Sequence, residues 1–345
     1  MKKILFCNPA FSNVSGYNRI APLNLVWLAS YFERNRYECE FIDEFVETID
    51  FNKDCDIVFI SIMTLNSFRG YVIAQEFKKR GKIVIFGGIH SSLIPEEALK
   101  YSDSVVIGEF EGIVEELKVD LKNNKLKKLY KAEWIELKGL PLPRRDLYKK
   151  KYDIITIQTS RGCPMYCEFC SVTSFNGGRY RFRPIYEIKK EISKIDGDLI
   201  FFCDDNMYGF NRDSIKRNIT LFNELRQFNK SFFVQSSINI ANDDNALKAF
   251  ARAGVKVLYI GIESINEESL KIMRKGINLK IGVKNYCKLI KNIHRHGIAV
   301  MGSFIMGADG DTLKTLWETL RFSSQINIDI PTFNVLKPFP GTKLY

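Results

Sequence analysis

Short apolar runs alternate with amphipathic stretches along most of the chain. In the first 125 residues the runs 3–7, 39–43, 56–62, 82–86 and 104–107 are nearly unbroken, as expected of strands covered on both faces. Helical spacing of apolar residues predicts helices over 23–34, 68–80, 95–100 and 112–122 between them. Strand and helix in alternation predict a parallel sheet with helices on both sides. Five strands at this spacing fit a doubly wound, flavodoxin-like α/β domain over residues 1–136.

The stretch LKGLPLPRRDLYKKKYD (137–153) breaks the alternation with two prolines and a cluster of basic residues, and predicts a linker. The pattern then restarts. Strands are expected at 154–159, 199–203, 232–237, 257–261, 299–305 and 332–336. Helices are expected at 185–195, 214–228, 244–253, 281–296 and 312–323. Six strand–helix units suit an open sheet or a barrel, full or partial. No closing helix follows the sixth strand, so a core truncated there is the expectation for 154–345.

Composition narrows the class. Apolar residues are 46% and charged residues 26% of the 345, ordinary for a globular chain with ample core. No apolar run approaches the roughly 20 residues that span a bilayer. The opening MKKILFCNP is too short in its apolar part for a signal peptide and reads as a first strand, so a cytoplasmic setting is expected. The net charge of +11 sits almost wholly in residues 151–345. It fits solvated lysines, or an anionic partner.

Eight cysteines in a reducing compartment are not a disulfide framework. Five are scattered singly and read as small hydrophobes. Cys163, Cys167 and Cys170 lie together in SRGCPMYCEFC (160–170), spaced C-x3-C-x2-C. A structural zinc site wants four ligands, and the nearest histidine in sequence, His90, belongs to the other domain. A [4Fe–4S] cluster normally takes four thiolates too. Three would leave one iron open to a ligand from outside the protein.

This spacing, on a loop after a first barrel strand, resembles the radical S-adenosylmethionine (SAM) superfamily. The resemblance implies that SAM chelates the fourth iron and that the reduced cluster cleaves it to a 5′-deoxyadenosyl radical. It implies that Phe169 lies beside the adenine. In FFCDDN it makes Asp204, Asp205 and Asn206 candidates for the SAM amino group. Gln235 and Ser237 in VQSSI, Glu263 in YIGIES and Ser303 in GSFIMG are further candidate SAM contacts. Read by themselves, the polar strand pairs and adjacent carboxylates also suit satisfied structural groups.

The segments NLVWLASYFERN, IVIFGGIHSS and CSVTSFNGGRYRFRP extend the likeness to radical SAM enzymes with an N-terminal cobalamin-binding domain. That resemblance implies Ser61, Thr64, Gly87 and Gly88 around the cobalamin nucleotide tail. The usual D-x-H-x-x-G motif is missing: the first strand runs into NPAFSNVSG, and His90 falls out of register. The implied activity is functionalisation of an unactivated carbon, foremost by cobalamin-dependent methyl transfer. The alternatives are cobalamin-free radical cyclisation, C–C bond formation or rearrangement, then a non-catalytic iron–sulfur sensor or an RNA methylthiotransferase. The implied partners are a small-molecule or lipid-like substrate and an external one-electron donor of flavodoxin or ferredoxin type; nucleic acid is not expected.

Overall fold

Continuous apolar runs do become strands covered on both sides. The computed structural model describes residues 1–11 and 20–345. It divides into two units, Met1–Ile154 and Ile155–Tyr345.

The first unit contains β1 (Lys2–Asn8), α1 (Asn24–Leu28), β2 (Tyr37–Asp43), β3 (Ile57–Ser61), α2 (Ser67–Lys79), β4 (Ile83–Gly87), α3 (Ile89–Leu93), α4 (Pro95–Leu99), β5 (Ser104–Ile107), α5 (Val114–Asn123) and β6 (Leu129–Lys131). The strands form one parallel sheet in the order β2-β1-β3-β4-β5-β6. Successive residues of β3 serve opposite faces. Phe59 joins Phe6, Ile85 and Phe32 in one core with Leu117 of α5. Val58 and Ile60 join Leu5, Val84 and Phe86 in the other, against Ile73 and Phe77 of α2. Each apolar side chain therefore has a neighbour whichever way it points.

Four features depart from the sequence expectation, the first being the short helix α3 directly after β4. A sixth strand, β6, extends the sheet from within a lysine-rich run. The helix expected over 23–34 keeps an α conformation only for Asn24–Leu28, then tightens to a 3₁₀ turn at Ala29–Tyr31 and ends at an extended Phe32. There the Ser30 hydroxyl donates to the Trp27 carbonyl, a local bond that competes with the helical ladder. The 137–153 stretch packs into this unit: Leu147 and Tyr148 lie against its core, and the Tyr152 hydroxyl donates to buried Asp43 at 2.9 Å.

The second unit runs β7 (Ile155–Ile157), β8 (Ser160–Arg161), α6 (Val172–Asn176), β9 (Arg181–Phe182), α7 (Ile185–Ile192), β10 (Leu199–Phe202), α8 (Arg212–Leu225), β11 (Ser231–Ser236), α9 (Asp244–Ala253), β12 (Val255–Glu263), α10 (Glu267–Ile272), α11 (Gly276–Ile281), α12 (Tyr286–Arg295), β13 (Ala299–Met306), α13 (Leu313–Gln325) and β14 (Ile330–Val335). Six strands pair in parallel and in sequence order, β7-β10-β11-β12-β13-β14. Among the described residues β14 does not pair with β7, so the barrel is partial.

Here β10, β11 and most of β12 are buried on one side only. Phe202, Val234, Leu258 and Val300 pack against Ile188, Leu221, Phe250 and Ile290 of the helices. Their neighbours Phe201, Phe233, Gln235, Tyr259 and Met301 face the other way and are only half-buried. The helix expected from 281 starts at Tyr286, because Gly282 takes φ +80° and interrupts it.

Candidate active site

The three-cysteine loop leaves the sheet after β7 and is pinched at its base. β8 and β9 pair antiparallel, Ser160 with Phe182 and Arg161 with Arg181. Gly162 has φ +95°, and a Cβ there would collide with the Arg179 carbonyl oxygen; only glycine fits this crossing. The Asp205 carboxylate, after β10, accepts from the Gly162 amide at 2.7 Å and from Asn176 Nδ2 at 3.0 Å. Carboxylate, glycine and hairpin thus fix both ends of the loop.

Cys163, Cys167 and Cys170 are half-buried on this loop. Burial pushes the Cys163 thiol up to about 12 and Cys170 up to about 11, with neighbouring cysteines adding to both shifts. Burial also raises Cys167. Among the described residues no three metal-ligating side chains are closed into coordination geometry. Binding of a metal would draw these thiols into the thiolate form, against the direction of the burial shift. The donor set suits a soft iron–sulfur group. The Tyr180 hydroxyl is shielded from water, lacks a hydrogen-bond partner among the described residues, and lies within electrostatic range of Cys163 and Asp205.

The other candidate SAM contacts separate by how much bonding capacity they retain. Asp204 is fully buried, and its carboxylate accepts from the Thr159 amide at 3.1 Å, the Thr159 hydroxyl at 2.8 Å and the Ser160 hydroxyl at 2.5 Å. That carboxylate ties the end of β10 to the end of β7. Asn206 and Ser237 bond each other: Asn206 Nδ2 donates to the Ser237 hydroxyl at 3.0 Å and Asn206 Oδ1 accepts from the Ser237 amide at 3.3 Å. Gln235 lies on the half-open face of β11. Ser303 accepts a long bond of 3.3 Å from Asn334.

Glu263 ends β12 at a register shift, with φ +65°. Its carboxylate pairs with Lys275 Nζ at 2.6 Å, and both side chains are nearly buried. Burial works against the Lys275 charge, but Glu263 and Cys167 outweigh it and raise the ammonium's pKa. The same Nζ sits 5.9 Å from the Phe169 ring centroid. Phe169 packs on Leu270, Met273 and Ile305. Lys275, which sequence reasoning did not single out, therefore joins Glu263, Phe169 and the thiols. The available signal was the carboxylate's need for a partner.

In the first unit the four candidates gather at the C-terminal ends of β3 and β4. Gly88 has φ +99°, and a Cβ there would lie 2.6 Å from the Ile62 carbonyl oxygen, whereas a Cβ on Gly87 would meet open space. Asn24 Nδ2 donates to the Ser61 hydroxyl at 2.6 Å. Thr64 Oγ1 lies 3.2 Å from His90 Nδ1, and His90 Nε2 lies 3.0 Å from the Tyr71 hydroxyl. Both ring nitrogens of His90 are thereby engaged. The NPAFSNVSG stretch falls largely outside the described residues.

Comparison with known proteins gives a consistent result. Residues 157–323 match the model of the Radical SAM superfamily, and residues 13–118 that of the B12 binding domain. The chain is 32% identical over 340 residues to bacteriochlorophyllide d C-12(1)-methyltransferase of Chlorobaculum tepidum, covering 94% of this chain and 73% of that one. It is 25% identical to hopanoid C-2 methylase of Rhodopseudomonas palustris, covering 98% and 65%. In fold it resembles TsrM of Kitasatospora setae, a radical SAM methyltransferase solved with cobalamin and a [4Fe–4S] cluster, with TM-score 0.81 and 16% identity over all of this chain and 74% of that one.

Proposed function

The chain belongs to the radical SAM enzymes that carry a B12-binding domain, and from that premise we propose that it methylates an unactivated carbon of a large, mostly apolar small molecule. A tetrapyrrole acid or a polycyclic lipid is the substrate class. The relatives named above, which act on bacteriochlorophyllide and hopanoid, support that choice. One structural observation carries the reading: a pinched loop with three thiols stands at the strand ends beside a sheet face left half-open.

Cys163, Cys167 and Cys170 would hold an iron–sulfur cluster, which would supply the electron for SAM cleavage, and the strand ends of the first unit would hold cobalamin, which would supply methyl-carrying chemistry. The residues of the chain do the rest. Gln235 and Ser303 offer polar contacts on the inner face. Lys275 holds positive charge beside the thiols, and Glu263 fixes its position. Gly87 leaves room for a bulky tail. The electron comes from an external donor of flavodoxin or ferredoxin type. Eight free cysteines fit work in a reducing cytoplasm; no helix among the described residues is long and apolar enough to cross a membrane.

The test uses enzyme reconstituted with iron, sulfide and cobalamin, supplied with SAM bearing a deuterated methyl group and a panel of tetrapyrrole acids and polycyclic lipids. Labelled methyl in a product, together with 5′-deoxyadenosine, is the expected result. Formation of 5′-deoxyadenosine with ring closure and no label would replace methyl transfer by radical cyclisation. An absorbance spectrum without cobalamin bands after reconstitution would point the same way.

A further inference from the structure

The cysteine loop has a second side. Its outward residues Pro164, Met165 and Tyr166 form one wall of a half-open groove of about 1200 Å³. The opposite walls come from the segment after β10, the turn before α9, and α10 to α12. The half-open inner face of the sheet contributes none of the lining: Gln235, Tyr259 and Ser303 are absent from it. A SAM molecule on that inner face and a carrier in this groove would therefore approach the loop from different directions.

The lining has a definite chemistry. Lys271, Arg274, Lys280 and Lys288 stand around it, and among the described residues no carboxylate lines it. All four are exposed. Two acids bordering the groove already have partners: Glu168 pairs with Arg274 at 3.3 Å, and Asp243 accepts from the Tyr208 hydroxyl at 2.9 Å. Tyr166 and Phe210 add large exposed rings, 55% and 51% accessible. Cations around exposed aromatics suit a transient contact with an acidic protein surface. Electron-transfer encounters lie at the small end of protein interfaces and depend on such steering.

We propose that this groove is the docking surface for an acidic one-electron carrier protein that reduces the enzyme. The inference rests on the radical reading above, since only that chemistry needs an electron at the loop. The exchange balances simply: the reduced carrier loses one electron, the enzyme gains one, and no proton or group moves between them. Lys271, Lys280 and Lys288 steer the carrier, and Met165 and Tyr166 form the contact nearest the thiols.

The experiment compares the holoenzyme with a Lys271→Glu/Lys280→Glu/Lys288→Glu variant. Binding of an acidic flavodoxin is measured by interferometry at low and moderate salt, and flavodoxin hydroquinone oxidation by stopped flow. Reduced methyl viologen, a small cation, serves as the independent electron source for SAM cleavage. Binding and flavodoxin oxidation should fall about tenfold or more in the variant, with most of the salt dependence gone. Viologen-driven cleavage should stay at the wild-type level. Unchanged flavodoxin binding would overturn the proposal, as would equal loss of viologen-driven cleavage, which would place the groove in catalysis. Equally tight binding of a charge-matched acidic protein without a redox centre would also overturn it. If the wild type fails to cleave SAM with viologen, the radical reading falls, while the binding comparison still decides the surface.

Discussion

The two sheets are both parallel, six-stranded and helix-covered, yet they treat their faces differently. In the first unit β3 buries four consecutive residues, Ile57 to Ile60, because helices lie on both sides. In the second unit β11 alternates strictly between half-buried and buried residues, because helices lie on one side only. A sheet sealed on both faces leaves a ligand only the strand ends, where Ser61, Thr64, Gly87 and Gly88 gather. A curved sheet sealed outside keeps an inner face as well, and the cysteine loop stands at its strand ends. The first arrangement suits holding a bulky group at an edge. The second suits chemistry in a partly enclosed space.

The largest expected effect tests the loop side of this contrast. Cys163→Ala, Cys167→Ala and Cys170→Ala should each abolish SAM cleavage and the broad absorbance near roughly 400 nm of a thiolate-bound cluster. Cys203→Ala and Cys287→Ala should retain both. An equally essential Cys203 would move the ligand set onto the inner face of the sheet.

Next comes the strand-end glycine pair. Gly88→Leu sets a side chain against the Ile62 backbone at φ +99° and should unfold or strongly destabilise the first unit, seen as a lower melting temperature. Gly87→Leu faces open space and should keep the melting temperature while losing cobalamin retention. Cobalamin retained by a folded Gly87→Leu protein would remove this edge from the site.

The Glu263–Lys275 pair is a buried link within the second unit. Glu263→Gln strands the Lys275 ammonium and should cost about 3–5 kcal/mol in chemical denaturation. Glu263→Gln/Lys275→Met should recover most of that loss, and SAM titration of the double variant then reports the pair's part in binding. No recovery would mean that Glu263 is held by something other than Lys275. Asp204→Asn should cost less, about 1–3 kcal/mol, since amide nitrogen replaces one acceptor oxygen facing Thr159 and Ser160. SAM affinity should hold; a marked fall would return Asp204 to the SAM site. The smallest effect is expected at Gln235. Gln235→Leu should leave stability unchanged and weaken SAM binding roughly tenfold, the worth of one hydrogen bond on the open face; unchanged affinity would clear β11 of contact.

Most strands were legible because their apolar runs are long and bounded by turn residues. The short ones were not. The three residues of β6 sit among lysines, and the two-residue strands β8 and β9 form only because Gly162 lets the chain cross itself. Periodicity carries no signal at that length. At the candidate site, residue type and spacing singled out Cys163, Cys167 and Cys170 for proposal, since thiol chemistry is written in the residues themselves. The division of labour between Asp204 and Asp205 was not written there. Adjacent carboxylates look alike in sequence, and only tertiary placement gives one to Thr159 and Ser160 and the other to Gly162. Likewise Glu263 announced its need for a cation, but nothing local selects Lys275 from the chain's 51 lysines and arginines.

The β8–β9 clasp changes what it takes to gather three thiols. In a free chain, closing a loop costs entropy that grows with the logarithm of its length. With Ser160 held to Phe182 and Arg161 to Arg181, that closure belongs to folding of the barrel. Capture of a cluster then has only the short spans between Cys163, Cys167 and Cys170 left to order. A clasp that stays shut would make assembly of the inorganic group a local rearrangement, confined to the few residues between the paired strands.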